Sequence, residues 1–99
     1  MAAVLDLRPS CELCDRDLPP DATDAMICTF ECTFCAACVR DTLANVCPNC
    51  GGGFAPRPVR PKAMLDKRPA TTARVHQPLD RTKHGALLAR YRDVPPEAR

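Results

Sequence analysis

The chemistry of this chain resides in eight cysteines, all between Cys11 and Cys50. They fall into four pairs: Cys11-x2-Cys14, Cys28-x3-Cys32, Cys35-x2-Cys38 and Cys47-x2-Cys50. Two thiolates on one tight turn can bind a single cation, while backbone N–H groups of the same turn point at the sulfurs and offset their charge. The Cys47-Pro48-Asn49-Cys50-Gly51 turn is the most informative pair. Its proline pre-sets the first turn dihedral, and its glycine accepts a left-handed conformation. Eight thiolates suffice for two tetrahedral four-cysteine zinc sites, so we expect two Zn2+ per chain.

Two other uses of the cysteines fit less well. A disulfide framework belongs to an oxidising compartment. The N-terminus has an acid inside its short apolar stretch and no basic leader region, so it does not read as a signal peptide. Cys32-x2-Cys35-x2-Cys38 with Cys47-Pro48 matches part of an iron–sulfur ligand run, but leaves Cys11, Cys14, Cys28 and Cys50 without a role.

The pairs can share metals in two ways. Consecutive pairing places Cys11, Cys14, Cys28 and Cys32 on one zinc and the remaining four on the other, an order that resembles LIM domains. Alternate pairing is a cross-brace: Cys11, Cys14, Cys35 and Cys38 form site 1, and Cys28, Cys32, Cys47 and Cys50 form site 2. Every spacing then fits the RING pattern, with Cys32 in place of its usual histidine. The eight-residue interval between Cys38 and Cys47 is short for a LIM loop, which favours the cross-brace.

Short elements must carry these ligands. Met26, Cys28 and Phe30 alternate with Ile27 and Thr29, which predicts a strand bearing Cys28. Residues Ala36 to Ala44 predict a short helix with Val39 and Leu43 on one face. Ile27, Phe30, Phe34, Val39 and Leu43 are the expected core. The fold class expected is a small metal-stabilised α+β module of RING-like or treble-clef type, with a short β-hairpin, one short helix and an extended tail.

The chain divides after Phe54. Residues 1–54 hold three basic and eight acidic residues, a net −5, and read as the zinc module. Residues 55–99 hold eleven basic and four acidic residues, a net +7, and read as a Pro/Arg-rich arm and tail. With four thiolates on each Zn2+ the module would reach −9, so the +2 formal charge conceals two opposed halves. In the tail, Lys83 to Arg92 predict one short helix with Thr82 as N-cap, and His76 and His84 read as solvated. The arm's Arg57, Arg60, Lys62, Lys67, Arg68 and Arg74 could neutralise nucleic-acid phosphates. Its prolines exclude a recognition helix there, and Tyr91 is the one aromatic residue available for stacking. No apolar run reaches membrane-spanning length, so no membrane association is expected and the cytosol is the expected compartment.

The block Cys32-Thr-Phe-Cys35-Ala-Ala-Cys38-Val, followed by Cys47-Pro-Asn-Cys50, resembles a RING finger. In ubiquitin-ligase RINGs, the positions of Leu13 and Pro48 belong to the surface that docks a conjugating enzyme, so the resemblance implies partner binding there. The module lacks a histidine, a helix tryptophan and a basic residue after Cys50, which argues against ligase activity. More specific is a resemblance to short bacterial proteins known as domain-of-unknown-function family 1272. It rests on Leu5-Asp-Leu-Arg-Pro9, Cys11-Glu-Leu-Cys14-Asp15, Asp17-Leu-Pro-Pro20, Ile27-Cys28-Thr-Phe-Glu-Cys32-Thr-Phe-Cys35 and Cys47-Pro-Asn-Cys-Gly-Gly52. It implies a bacterial, cysteine-rich zinc module without an assigned activity. The expected role is structural metal binding in a protein-interaction or regulatory protein, not an enzyme. The alternatives are nucleic-acid binding through the basic arm and a zinc or redox sensor.

Overall fold

In the computed structural model, which describes residues 4–99, the elements are short and the loops between them carry much of the architecture. Strands β1 (Ala25–Ile27) and β2 (Thr33–Cys35) form an antiparallel hairpin, with Ala25 opposite Cys35 and Ile27 opposite Thr33. The turn between them holds Cys28 and Cys32. Glu31 closes it in a left-handed conformation (φ 64°), and its N–H donates to Cys28 O (3.1 Å). Cys28 therefore sits just past β1 and not within it. This geometry also accounts for Phe30, which was expected in the core and is 70% exposed. The backbone bends so that Phe30 N–H donates to Cys28 Sγ (3.4 Å), and the ring is directed outward.

Helix α1 (Ala36–Cys38) starts directly after β2 and widens into a π-helical turn over Val39–Leu43. Val39 and Leu43 are buried from that turn, as their spacing requires. Ala44 and Asn45, both left-handed, end it. The core gathers Leu18, Phe34, Val39 and Leu43 around Cys11, Cys28, Cys35 and Cys47. Phe34 meets Phe54 edge-to-face with ring centroids 5.4 Å apart, a favourable aromatic geometry. Ile27 is only half-buried, while Leu7, Leu18 and Val46 are buried without having been singled out by periodicity.

The sheet continues past Phe54. Strand β3 (Ala55–Pro56) pairs antiparallel with the free side of β1, giving the order β2-β1-β3. Pro56 is tolerated because β3 is an edge strand. The tail is not a free extended arm. After the single turn α2 (Lys62–Leu65) it returns along the module, where Thr71 N–H donates to Asp6 O and Gln77 N–H to Glu12 O. Helix α3 (Arg81–Tyr91) then packs against the last cysteine pair. Its N-cap is Asp80, whose carboxylate accepts from Lys83 N–H (3.0 Å), and not Thr82. His84, expected to be solvated, is 2% exposed, and its Nε2 donates to Val46 O (3.1 Å).

Candidate metal centre

Cys11, Cys14, Cys35 and Cys38 converge, with their four sulfurs all within 4.8 Å of one another. Cys11 and Cys14 come from a loop before the sheet; Cys35 and Cys38 bracket the junction of β2 and α1. Cys28, Cys47 and Cys50 form a second mutual group on the same criterion. Cys32 is outside that mutual set, although it adjoins it: Asn49 Nδ2, from the turn that carries Cys47 and Cys50, donates to its sulfur (3.4 Å). Each group could hold a metal ion. All eight cysteines are free thiols.

The two loops that present Cys11/Cys14 and Cys47/Cys50 are built alike. In each, the first cysteine's carbonyl accepts from the residue four positions on, from Asp15 N–H (2.9 Å) and Gly51 N–H (2.8 Å). In each, its N–H donates to the carbonyl five positions on, at Arg16 and Gly52 (2.8 Å in both). Both loops need a left-handed residue after the second cysteine, and Asp15 (φ 63°) and Gly51 (φ 78°) supply it. The Gly51 conformation follows from the sequence pattern. Asp15 is harder to foresee, since only its tolerance of the left-handed region marks it. Gly51 has a second constraint: a Cβ there would lie 2.9 Å from Tyr91 on α3.

N–H groups aim at the sulfurs throughout. Cys14 N–H donates to Cys11 Sγ (3.5 Å) and Gly52 N–H to Cys50 Sγ (3.4 Å). The donor set fits a tetrahedral thiophilic cation. Sulfurs about 2.3 Å from a central zinc stand about 3.8 Å apart, and Cys14 Sγ and Cys35 Sγ are separated by 3.8 Å.

Proton affinities within each group diverge as crowded thiols require. The Cys47 hydrogen bond pulls Cys32 down to about 5, against burial and with help from Asn49, Cys28 and the Arg8 charge. Burial pushes Cys28 up to about 11, and Cys47 rises because it donates to Cys32 and is itself buried. In the other group, burial opposes ionisation of Cys11, but backbone N–H groups of Cys14, Cys35 and Leu13 outweigh it and lower its pKa. Burial raises both Cys38 and Cys14. Each group thus favours one anion and resists further ionisation, a repulsion that a divalent cation relieves.

Two charged residues outside the cysteine pattern fix this geometry. Glu12, 7% exposed, accepts from Thr33 N–H on β2 and from Arg8 Nη1 (2.9 Å), while its own N–H donates to Thr33 O (2.9 Å). The first cysteine loop is therefore stitched to the edge of β2. Arg57, directly after β3, is 5% exposed and donates to Arg8 O (2.8 Å), Leu18 O (3.1 Å) and Pro19 O (2.9 Å). Burial lowers its pKa. Arg57 has no sequence signature, because its partners are main-chain carbonyls, whereas Glu12 pairs with the Arg8 side chain as well as with the Thr33 main chain. Leu13 and Pro48 are both half-buried and line one cleft with Gln77, Pro78 and Leu79 of the tail. The tail therefore lies along the surface at which the RING resemblance implies docking.

Residues 4–60 match a family described as proteins of unknown function, DUF1272. Over 75 residues, spanning 76% of this chain and 89% of the other, the sequence is 67% identical to an uncharacterized protein of Rhizobium meliloti. No solved structure matches the chain.

Proposed function

The chain belongs to the DUF1272 family, whose function is unknown, and from that premise we propose that it is a structural zinc module of RING-like, treble-clef type. Two Zn2+ are held in a cross-brace, one by Cys11, Cys14, Cys35 and Cys38, the other by Cys28, Cys32, Cys47 and Cys50. The module serves as a protein-interaction or regulatory scaffold in a reducing compartment such as the cytosol. The observation that carries this reading is the convergence of two pairs separated in sequence, Cys11/Cys14 and Cys35/Cys38, at mutual sulfur distances within 4.8 Å. Four thiolates per ion leave no coordination position for a water or substrate, so the proposed role is not enzymatic. The tail residues Gln77, Pro78 and Leu79, which share a cleft with Leu13 and Pro48, narrow access to that surface, a further argument against ubiquitin-ligase-like activity.

The test is metal content combined with folding. Protein purified under reducing conditions should carry close to two zinc per chain. A strong chelator should abolish protection from proteolysis, since binding energy of such sites is folding energy. A chain that stays protease-resistant without metal would sink the proposal.

One observation favours a sensing role beside the structural one: each group has a solvent-exposed sulfur residue, Cys14 in one and Cys50 in the other. Peroxide could reach these thiolates first, taking two electrons from a thiolate pair to give a disulfide and two waters after proton uptake. Zinc release within minutes at micromolar peroxide supports sensing; retention supports a purely structural role.

A further inference from the structure

The tail's basic residues fall into three groups, of which Lys62, Lys67 and Arg68, at and just after α2, are exposed and make no side-chain hydrogen bond or ion pair to the module among the described residues. Arg57 is buried, Arg60 donates to Leu5 O and Arg68 O, Arg74 pairs with Asp15 and Asp17, and Arg99 donates to Val94 O, Asn45 O and Gly51 O. These hold the tail to the module. Four cations on α3 and at its C-cap do not. Arg81, Lys83, Arg90 and Arg92 are exposed, and none forms an ion pair or side-chain hydrogen bond among the described residues.

Their placement is regular. His84, Leu87, Leu88 and Tyr91 turn toward the module and are buried or half-buried, which sets the outward face. Arg81 and Arg92 are eleven residues apart, about three turns, and share one edge of that face; Lys83 and Arg90, about two turns apart, share the other. Between the edges runs a low crest of Thr82, Gly85, Ala86 and Ala89, all exposed, with open space at Gly85. No acid lies between Arg81 and Arg92; Asp80 and Asp93 flank the ends.

We propose that the outward face of α3 binds duplex DNA through its phosphates. A helix with a low crest can enter a major groove about 12 Å wide, and cations on both edges then reach the two bordering backbones. A-form RNA, whose major groove is deep and narrow, fits it poorly. The crest has one hydrogen-bonding side chain, Thr82, so binding is independent of sequence. Single strands are disfavoured because the outward face of α3 carries no aromatic side chain on which bases could stack. The acidic module opposes approach at long range, but screening over about 8 Å leaves the field of α3 to act at contact.

The test uses the zinc-loaded full chain and a random-sequence duplex of about 20 base pairs, read by fluorescence anisotropy. Four phosphate contacts give a log–log salt slope of about −3.6, equivalent to about a 150-fold affinity loss between 50 and 200 mM salt. The R81Q/K83Q/R90Q/R92Q variant, altered only at outward positions, should bind at least tenfold more weakly, with metal content and circular dichroism unchanged. A K62Q/K67Q variant in the arm should bind as the unaltered chain does. The inference is overturned if the unaltered chain shows no binding at 50 mM salt or a slope near zero. It is equally overturned if the arm variant loses as much affinity as the α3 variant, or if phosphatidylglycerol vesicles compete on equal terms with the duplex. Metal stoichiometry is read separately, so these outcomes leave the zinc reading standing or falling by its own test.

Discussion

Cys14 and Cys35 are 21 residues apart in sequence and 3.8 Å apart at sulfur. Consecutive pairing would instead place Cys14 with Cys28 and Cys32. The contact therefore predicts which substitutions act alike. Cys14→Ser and Cys35→Ser should each lose the same metal and retain the other, giving close to one zinc per chain by native mass spectrometry. The Cys14→Ser/Cys35→Ser double variant should lose no more than either single change. A double variant that loses both metals would show that the two residues serve different ions.

Glu12 joins the first cysteine loop to β2 through Thr33 and is charge-balanced by Arg8. Replacing it with alanine leaves a buried N–H without its acceptor and an arginine without its partner. Loss of one member of such a pair costs about 3 kcal/mol. Glu12→Ala should accordingly lower the midpoint of urea unfolding of the zinc-loaded protein. Glu12→Gln, which retains an acceptor oxygen, should recover part of the loss. Equal midpoints for all three proteins would remove Glu12 from any structural role.

Arg57 bridges three carbonyls from two segments of the module. Arg57→Met preserves much of the side-chain volume but leaves Arg8 O and Leu18 O unpaired, at about 1–3 kcal/mol each where water cannot replace the bond, while Pro19 O keeps its bond from Ala22 N–H. Arg57→Lys should be nearly as damaging, since one ammonium cannot reproduce the planar fork. Faster hydrogen exchange of Cys11 N–H and Leu18 N–H, which bond across the first loop, would report the loosening. Unaltered exchange in Arg57→Met would contradict this.

What could be read from the sequence was whatever depends on local backbone chemistry. The Pro-Asn-Cys-Gly turn announces the left-handed Gly51, and the Val39/Leu43 spacing announces a buried helical face. Phe30 misled because strand alternation continues through it in sequence, while the chain has already turned toward Cys28 Sγ. The tail misled for a different reason. Its anchors, Arg57, His84 and Arg99, bond to main-chain carbonyls, which every residue possesses and no pattern marks. A proline-rich basic stretch with such anchors has the same composition as a solvated arm. Helix α3 was legible as a helix, but it starts before the expected Thr82 cap, at Asp80, whose carboxylate accepts from Lys83 N–H.

The proton affinities of the second cysteine group predict how its metal binding varies with pH. A metal binds thiolates, so every thiol still protonated at the working pH must release its proton. Cys28, pushed up to about 11, and Cys47, raised further, both release one at pH 7. Cys32, pulled down to about 5, is already a thiolate and releases none. Affinity therefore rises with pH through Cys28 and Cys47 across the neutral range. Cys32 contributes to the slope only below about pH 5, where its proton begins to compete. Calorimetric titration of zinc in buffers of different ionisation enthalpy counts these protons. The Cys32→Ser variant should release the same number at pH 7 as the unaltered chain, although its affinity is lower. At pH 4.5 the unaltered chain should release more protons per zinc than it does at pH 7, and the variant should not show that increase. If Cys32→Ser releases one proton fewer at pH 7, Cys32 is protonated in the metal-free chain, and its hydrogen bonds from Cys47 and Asn49 do not hold it as an anion.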